Sequence, residues 1–333
     1  MIPTMKELIA LFSQHLQTAL EAIAQVQLKP AERNIDNVLI TGLGGSGIGG
    51  SIAAELFAPQ ANIPVLVNKD YHVPAFVNEG TLLIACSYSG NTEETLSAVN
   101  EALKSGVQVA CISSGGKLKE MAEQHGWNCL SMEGGNPPRS MFGYSFAYLS
   151  YYFRHYGIID SPVQDDIEKA IALLNKEEDS IRLEAEALAD KLKNTVPHIL
   201  AVAGSTGVAA RWRQQLNENA KMLCWEAEIP EMNHNELVGW EGGSSRFSAL
   251  FLRNKSDFER NQKRIEIIKE IIAGKTEHVY EVWSKGDSAL QRALYLIHFG
   301  DWLSYYLSEI NKVDIMDIKS IDLLKSELSK IPF

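Results

Sequence analysis

The sequence predicts an α/β protein of two domains, residues 1–155 and 156–333, each a parallel sheet flanked by helices. Three observations carry this. From about residue 37, short apolar runs alternate with helix-length stretches, the pattern of strand–helix–strand units. Both halves open on an apolar strand that runs into a Gly/Ser turn and a helix: VLIT then GLGGSG at 38–47, ILAVA then GSTG at 199–207. Between them, residues 163–195 are charged, helical in spacing and poor in Gly and Pro, as a bridging helix would be.

At the start of the chain, Leu8, Leu11, Phe12, Leu16 and Leu20 recur at helical spacing and predict an amphipathic helix. Val38–Thr41 is the first strand, followed by a helix through Ile52, Ala53, Leu56 and Phe57. Val65–Val67 and Thr81–Cys86 are the second and third strands, with a helix from Glu93 to about Lys104 after the third. Val107–Ile112 is the fourth and Cys129–Met132 a short fifth. The second cycle runs from Ile199–Ala203 through a helix carrying Trp212, Leu216 and Met222, the strand Phe247–Leu252, a helix over 257–273 and the strand Val279–Trp283. A long helix over 288–310 and a last one near 318–330 close it.

The composition, 45% hydrophobic and 22% charged over 333 residues, is that of a globular protein with a substantial core. A net charge of −11 argues against a nucleic-acid or anionic-membrane surface. It leaves open a small phosphorylated ligand held by local amides and cations. No apolar run approaches 18 residues, so no membrane helix is expected. The first 26 residues lack a basic leader and a small-residue cleavage site, and the cysteines form no CxxC pair, which suits a reducing, cytoplasmic setting. No His, Cys and carboxylate set has metal spacing, so neither metal nor cofactor is expected.

The chemistry-bearing signals lie at strand ends. Gly42-Leu43-Gly44-Gly45-Ser46-Gly47 sits between a strand and a helix, where close backbone approach and free helix-start amides favour an anion. The same stretch fits a dinucleotide fingerprint, but the acidic residue due some twenty positions later is met only by Asp70, late and after a lysine. Ser87-Tyr88-Ser89-Gly90-Asn91-Thr92 is different: three hydroxyls share one tight turn opening a helix, a cradle for a tetrahedral anion. The competing reading is that Thr92 or Asn91 simply caps that helix.

GGSGIGG followed by SYSGNTEET resembles the sugar isomerase (SIS) domain. Pro137-Pro138-Arg139 ahead of an aromatic helix resembles the bifunctional phosphoglucose/phosphomannose isomerases of the phosphoglucose isomerase superfamily. The likeness runs over nearly the whole chain and implies two SIS-type domains. It implies that Gly45, Ser46, Ser87, Ser89 and Thr92 hold a substrate phosphate, and that Arg139 stabilises an enediolate. It further implies that Glu218, near Lys221, is the proton-shuttling base. His234 would open the sugar ring from the neighbouring subunit of a homodimer, and Lys325 would contact the ring oxygen. Glu236 is the second choice of base and Lys319 the second choice of lysine. Read alone, each has a plainer role: Glu218 a solvated helix face, His234 a loop histidine, Lys325 a surface lysine. His298, Trp240 and Trp302 read as packing residues. One departure concerns the run before the last helix, Val313-Asp314-Ile315-Met316-Asp317. It lacks the threonine that the family links to the mannose epimer.

The resemblance thus implies a metal-independent aldose–ketose isomerase acting on glucose 6-phosphate, and on mannose 6-phosphate with less support. The alternatives are an SIS protein that binds a sugar phosphate without converting it, and a nicotinamide-dependent oxidoreductase resting on Gly42, Gly44 and Gly47 alone.

Overall fold

A computed structural model describes residues 3–331. The chain starts with two helices, α1 (Met5–Ala10) and α2 (Phe12–Gln25), where one was expected. The break falls at Leu11, which is 42% exposed, while Met5, Leu8, Ile9, Phe12 and Leu16 are buried. Thr4 opens α1 with a capping box: its side chain accepts from the Glu7 amide while Glu7 reaches back to the Thr4 amide.

The first sheet is built from β1 (Asn37–Thr41), α3 (Gly44–Phe57), β2 (Val65–Asn68), β3 (Thr81–Cys86), α4 (Glu93–Leu103), β4 (Gln108–Ser113), α5 (Gly116–His125) and β5 (Asn128–Ser131). Its order is β2-β1-β3-β4-β5, all parallel. A 3-10 turn, Pro138–Met141, leads into α6 (Phe142–His155). After α7 (Val163–Leu192), the second unit follows as β6 (Val196–Val202), α8 (Thr206–Ala220), β7 (Trp225–Ile229), α9 (Glu236–Gly239), β8 (Phe247–Arg253), α10 (Glu259–Ala273), β9 (Val279–Trp283), α11 (Ala289–Asn311) and α12 (Lys319–Leu328). Its order is β7-β6-β8-β9, again all parallel. Parallel pairing needs crossovers, and helices supply them except between β2 and β3, where residues 69–80 cross without one.

The period-2 alternation of the strands sorts their side chains into separate cores. Val38 and Ile40 join Leu82 and Ile84 in a large central core that continues through α6, α7 and α11 to the second sheet, while Leu39, Leu83 and Ala85 pack under α4 and α5. On the second sheet, Leu200 and Phe251 pack under Ile265, Ile268 and Ile272 of α10. The two units meet where α3 crosses α8. A Cβ on Gly207 would lie 2.9 Å from Ile52 Cγ1 and 3.2 Å from Ile52 backbone atoms, so glycine is what lets these helices come so close.

Sequence reading missed β7, because Trp225-Glu226-Ala227-Glu228-Ile229 places two carboxylates on an edge strand. Both are satisfied sideways, Glu226 by Arg213 and Glu228 by the Thr206 hydroxyl at 2.8 Å. Met222 lies outside α8, which stops at Ala220 with Lys221 in the left-handed conformation.

The Gly204–Gly207 turn of the second unit is closed by the protein itself. The Glu55 carboxylate of α3 accepts from the Gly207 amide at 2.9 Å. Burial, reinforced by Glu228, nevertheless raises the Glu55 pKa above its ordinary value. A raised carboxyl pKa means that the folded state binds more protons than the unfolded one above about pH 4.5, so stability falls as pH rises through that window. Glu55→Gln keeps an acceptor oxygen without the charge. It is expected to raise Tm by about 2 °C at pH 8 and to show no gain at pH 4, as read by thermal melts at the two pH values.

Candidate active site

The site is assembled around the ends of β1 and β3 in the first unit. Leu43 caps α3 without a side-chain bond, and Ser46 stands in its first turn. A Cβ on Gly47 would run into the Gly42 carbonyl, so this turn requires glycine. The Ser46 hydroxyl accepts from the Tyr88 amide at 3.0 Å, tying the first turn to the second. In the second, Gly90 takes φ +68 and a Cβ there would strike the Gly115 carbonyl. Ser87 and Thr92 hydroxyls lie 2.9 Å apart, and Ser89 Oγ accepts from the Asn91 amide at 3.2 Å.

Thr92 is the N-cap residue of α4, yet its side chain makes no capping bond; its hydroxyl turns to Ser87 instead. The helix-start amides are left without a side-chain acceptor from the cap, as an anion cradle needs. The Tyr88 phenol donates to Glu133 O and accepts from the Asn136 amide, both at 3.0 Å, and so anchors the loop that leads to Pro137-Pro138-Arg139.

Arg139 joins this turn pair to the second unit. A Cβ on Gly45 would lie 3.2 Å from the Arg139 nitrogen and from Pro138 C, so the first turn packs directly on the Arg139 backbone. The Arg139 guanidinium is buried, at 3% exposure. It donates to Glu218 Oε1 at 2.8 Å, Asn219 Oδ1 at 2.6 Å and the Ile315 carbonyl at 2.7 Å. Burial pulls its pKa down from the ordinary value and Glu218 pulls it back; an arginine stays charged under such opposition. Glu218 keeps 30% of its side chain exposed, and its second oxygen has no partner among the described residues. The pair therefore combines a fixed cation with a carboxylate open on one side, a geometry suited to moving a proton next to a developing anion.

Because the Arg139 backbone cannot drift without breaking these bonds, Gly45→Ala must displace one side by a few tenths of an ångström. We expect it to lower turnover by about 10-fold while leaving Tm nearly unchanged, measured on the purified variant.

The remaining predicted residues are not gathered at this point. Lys221 directs its ammonium to the carbonyls of Glu218 and Asp317, at 2.6 and 2.7 Å, and not to the Glu218 carboxylate. Burial and then Arg139 lower its pKa, against Asp317, Glu218 and Asp314. It staples the end of α8 to the 313–318 loop. Lys319 pairs with Asp317 Oδ2 at 3.0 Å on the outer side of that loop. Lys325 stands on α12, which has no buried residue. His234 is exposed, at the end of the 3-10 turn Glu231–His234. Glu236 is engaged elsewhere: it accepts from Trp225 Nε1 at 2.6 Å and pairs with buried His198 at 3.0 Å. Its pKa is lowered because those partners outweigh its burial, the largest influence and an opposing one. His298 is buried against Glu178 at 2.5 Å, a packing and ion-pair role. Cys86 is buried, its thiol pushed up to about 12 by desolvation.

Sequence reading missed Asn219, Arg211 and Asp301. Arg211 is buried, bonds both Asp301 oxygens at 2.9 and 2.8 Å, and donates to the Arg139 carbonyl at 3.2 Å. The available signal was polar residues on the apolar face of α8, beside Trp212 and Leu216. Among the described residues no helix is long and apolar enough to cross a membrane, and no group of His, Cys and carboxylates is placed to hold a metal.

Two parallel-sheet units with a hydroxyl-rich turn at the strand ends define the SIS class of sugar-phosphate proteins. Residues 33–126 match the SIS domain family, and residues 181–328 match the bacterial phospho-glucose isomerase C-terminal SIS domain. The chain is 39% identical over 329 residues to a bifunctional phosphoglucose/phosphomannose isomerase of Caldicellulosiruptor bescii, covering 96% of this chain and 97% of that one. It is 37% identical over 323 residues to a Thermoplasma acidophilum enzyme of the same name, again 96% and 97%. The fold is similar to that of the C-terminal domain of glucosamine-fructose-6-phosphate aminotransferase from Francisella tularensis, with a TM-score of 0.74 at 12% identity over 93% of this chain and 97% of that one. The chain belongs to the bifunctional phosphoglucose/phosphomannose isomerase family.

Proposed function

We propose that this protein interconverts glucose 6-phosphate and fructose 6-phosphate, with mannose 6-phosphate as a further aldose, through a cis-enediolate. The observation that supports this most directly is the buried Arg139 bonded to a partly exposed Glu218 beside the hydroxyl-lined turns. In this reading Ser46, Ser87, Ser89 and Thr92, with the Gly45 backbone, hold the phosphate. Glu218 removes the C2 proton of the open-chain aldose, and the electron pair forms the enediolate. Arg139 stabilises its oxygens; the O2 hydroxyl proton passes to O1, and return of the carbon-bound proton to C1 as C2=O forms gives the ketose. The exposed His234 suits ring opening in a neighbouring copy, which makes a homodimer with shared sites the working assembly. Lys325 would reach the ring oxygen once α12 is covered, with Lys319 as its substitute. We take the chain as units of 1–155 and 156–333 working together in the cytoplasm.

A coupled assay on one preparation tests the reading. Both aldoses are expected to yield fructose 6-phosphate, mannose 6-phosphate more slowly, since Met316 stands where the family's threonine is expected. Binding of fructose 6-phosphate without any conversion would make the protein a non-catalytic sugar-phosphate binder and sink the proposal.

A further inference from the structure

A guanidinium offers five N–H donors in a plane. In Arg139 three are committed, to Glu218, Asn219 and Ile315. One N–H on each terminal nitrogen is left for substrate oxygens. These three bonds together hold the plane, and the one at Nε goes to Asn219, a side chain that is itself fully buried.

The orientation of the Asn219 amide is determined by α11. Ser304, also fully buried, has a single hydroxyl proton, and its oxygen lies 2.7 Å from the Asp301 carbonyl, which can only accept. Its oxygen must therefore accept from the other neighbour, Asn219 Nδ2, at 2.9 Å. That leaves the Asn219 carbonyl oxygen facing Arg139 Nε at 2.6 Å. The relay Asp301 O, Ser304, Asn219, Arg139 thus has one consistent proton arrangement. A neutral amide here fixes direction without cancelling charge. An aspartate in its place would add a second anion to the guanidinium and weaken its pull on an enediolate.

We propose that Asn219, backed by Ser304, is a positioning residue that aims the Arg139 guanidinium at the enediolate. This rests on the isomerase reading above and deepens it.

The test measures kcat, KM and the affinity of a sugar-phosphate hydroxamate that mimics the enediolate, in the full-length protein. Asn219→Asp is expected to lower kcat by about 100-fold, to weaken the hydroxamate by a similar factor, and to leave fructose 6-phosphate binding almost unchanged. Ser304→Ala, which removes the acceptor that orients the amide together with its bond to the Asp301 carbonyl, is expected to lower kcat by about 10-fold with the same split. Equal losses for substrate and mimic, or normal kcat in the Ser304→Ala variant, would overturn the positioning role. If Asn219→Asp does not fold, the Ser304→Ala result alone decides. Arg139→Lys separates the two claims: wild-type turnover that is insensitive to it refutes the Arg139 role on which the inference depends. Sensitivity to Arg139→Lys beside normal Asn219 and Ser304 variants refutes the inference alone.

Discussion

Glu218→Gln is expected to lower isomerisation in both directions by about 100- to 10,000-fold, the usual contribution of a positioned general base. The amide keeps the shape of the carboxylate and an oxygen to accept from Arg139 Nη1, which now stands 2.8 Å from Glu218 Oε1. What it lacks is a lone pair basic enough to take a proton from carbon. Fructose 6-phosphate should therefore still bind, because the turns proposed to hold its phosphate lie in the first unit and make no bond to Glu218. Uptake of solvent deuterium at C1 of fructose 6-phosphate should fall in parallel with turnover, since both need the same proton transfer. Undiminished exchange would remove Glu218 from the role. Glu236 would not easily replace it, for its carboxylate is held by Trp225 and His198.

The sheets were legible because parallel strands buried on both faces read as short apolar runs between Gly and Ser turns, and TLLIAC and FSALFL are such runs. β7 was not, because its alternating glutamates are satisfied by contacts that only the folded chain makes. The hydroxyl-rich turn was legible for a local reason: its hydroxyls and glycine lie within six residues, Ser87 to Thr92. Arg139 and Glu218 were reached through resemblance, not pattern, since they lie 79 residues apart and meet only where α8 crosses the 3-10 turn. Asn219, Arg211 and Asp301 gave still less warning. Polar residues on an apolar helix face announce a buried network but not its partners, and the partners here are 80 to 90 residues distant. His234 and Lys325 project from the surface of the chain, where no local pattern marks a residue for chemistry.

The largest effect on stability is expected at Asp301, which lies on α11 and is 4% exposed. Its oxygens accept two bonds from Arg211 and one from Gln215, the last at 2.7 Å. Arg211 also stands 4.3 Å over the Phe142 ring. Removing the carboxylate strands a guanidinium in the core with one carbonyl and one ring for company, and such a change costs about 3–5 kcal/mol. Asp301→Ala should lower the urea midpoint accordingly, and Asp301→Asn by less, because an amide oxygen can still accept. The pair itself need not be stabilising: two charges taken out of water lose solvation that their attraction only roughly repays. The double replacement Arg211→Met with Asp301→Leu should therefore recover most of the stability lost by Asp301→Ala. It should not recover isomerase activity, because the Arg139 carbonyl loses its 3.2 Å donor and Ser304 sits on the altered turn of α11. Restored stability together with restored turnover would show that the buried pair does nothing for the site beyond filling space.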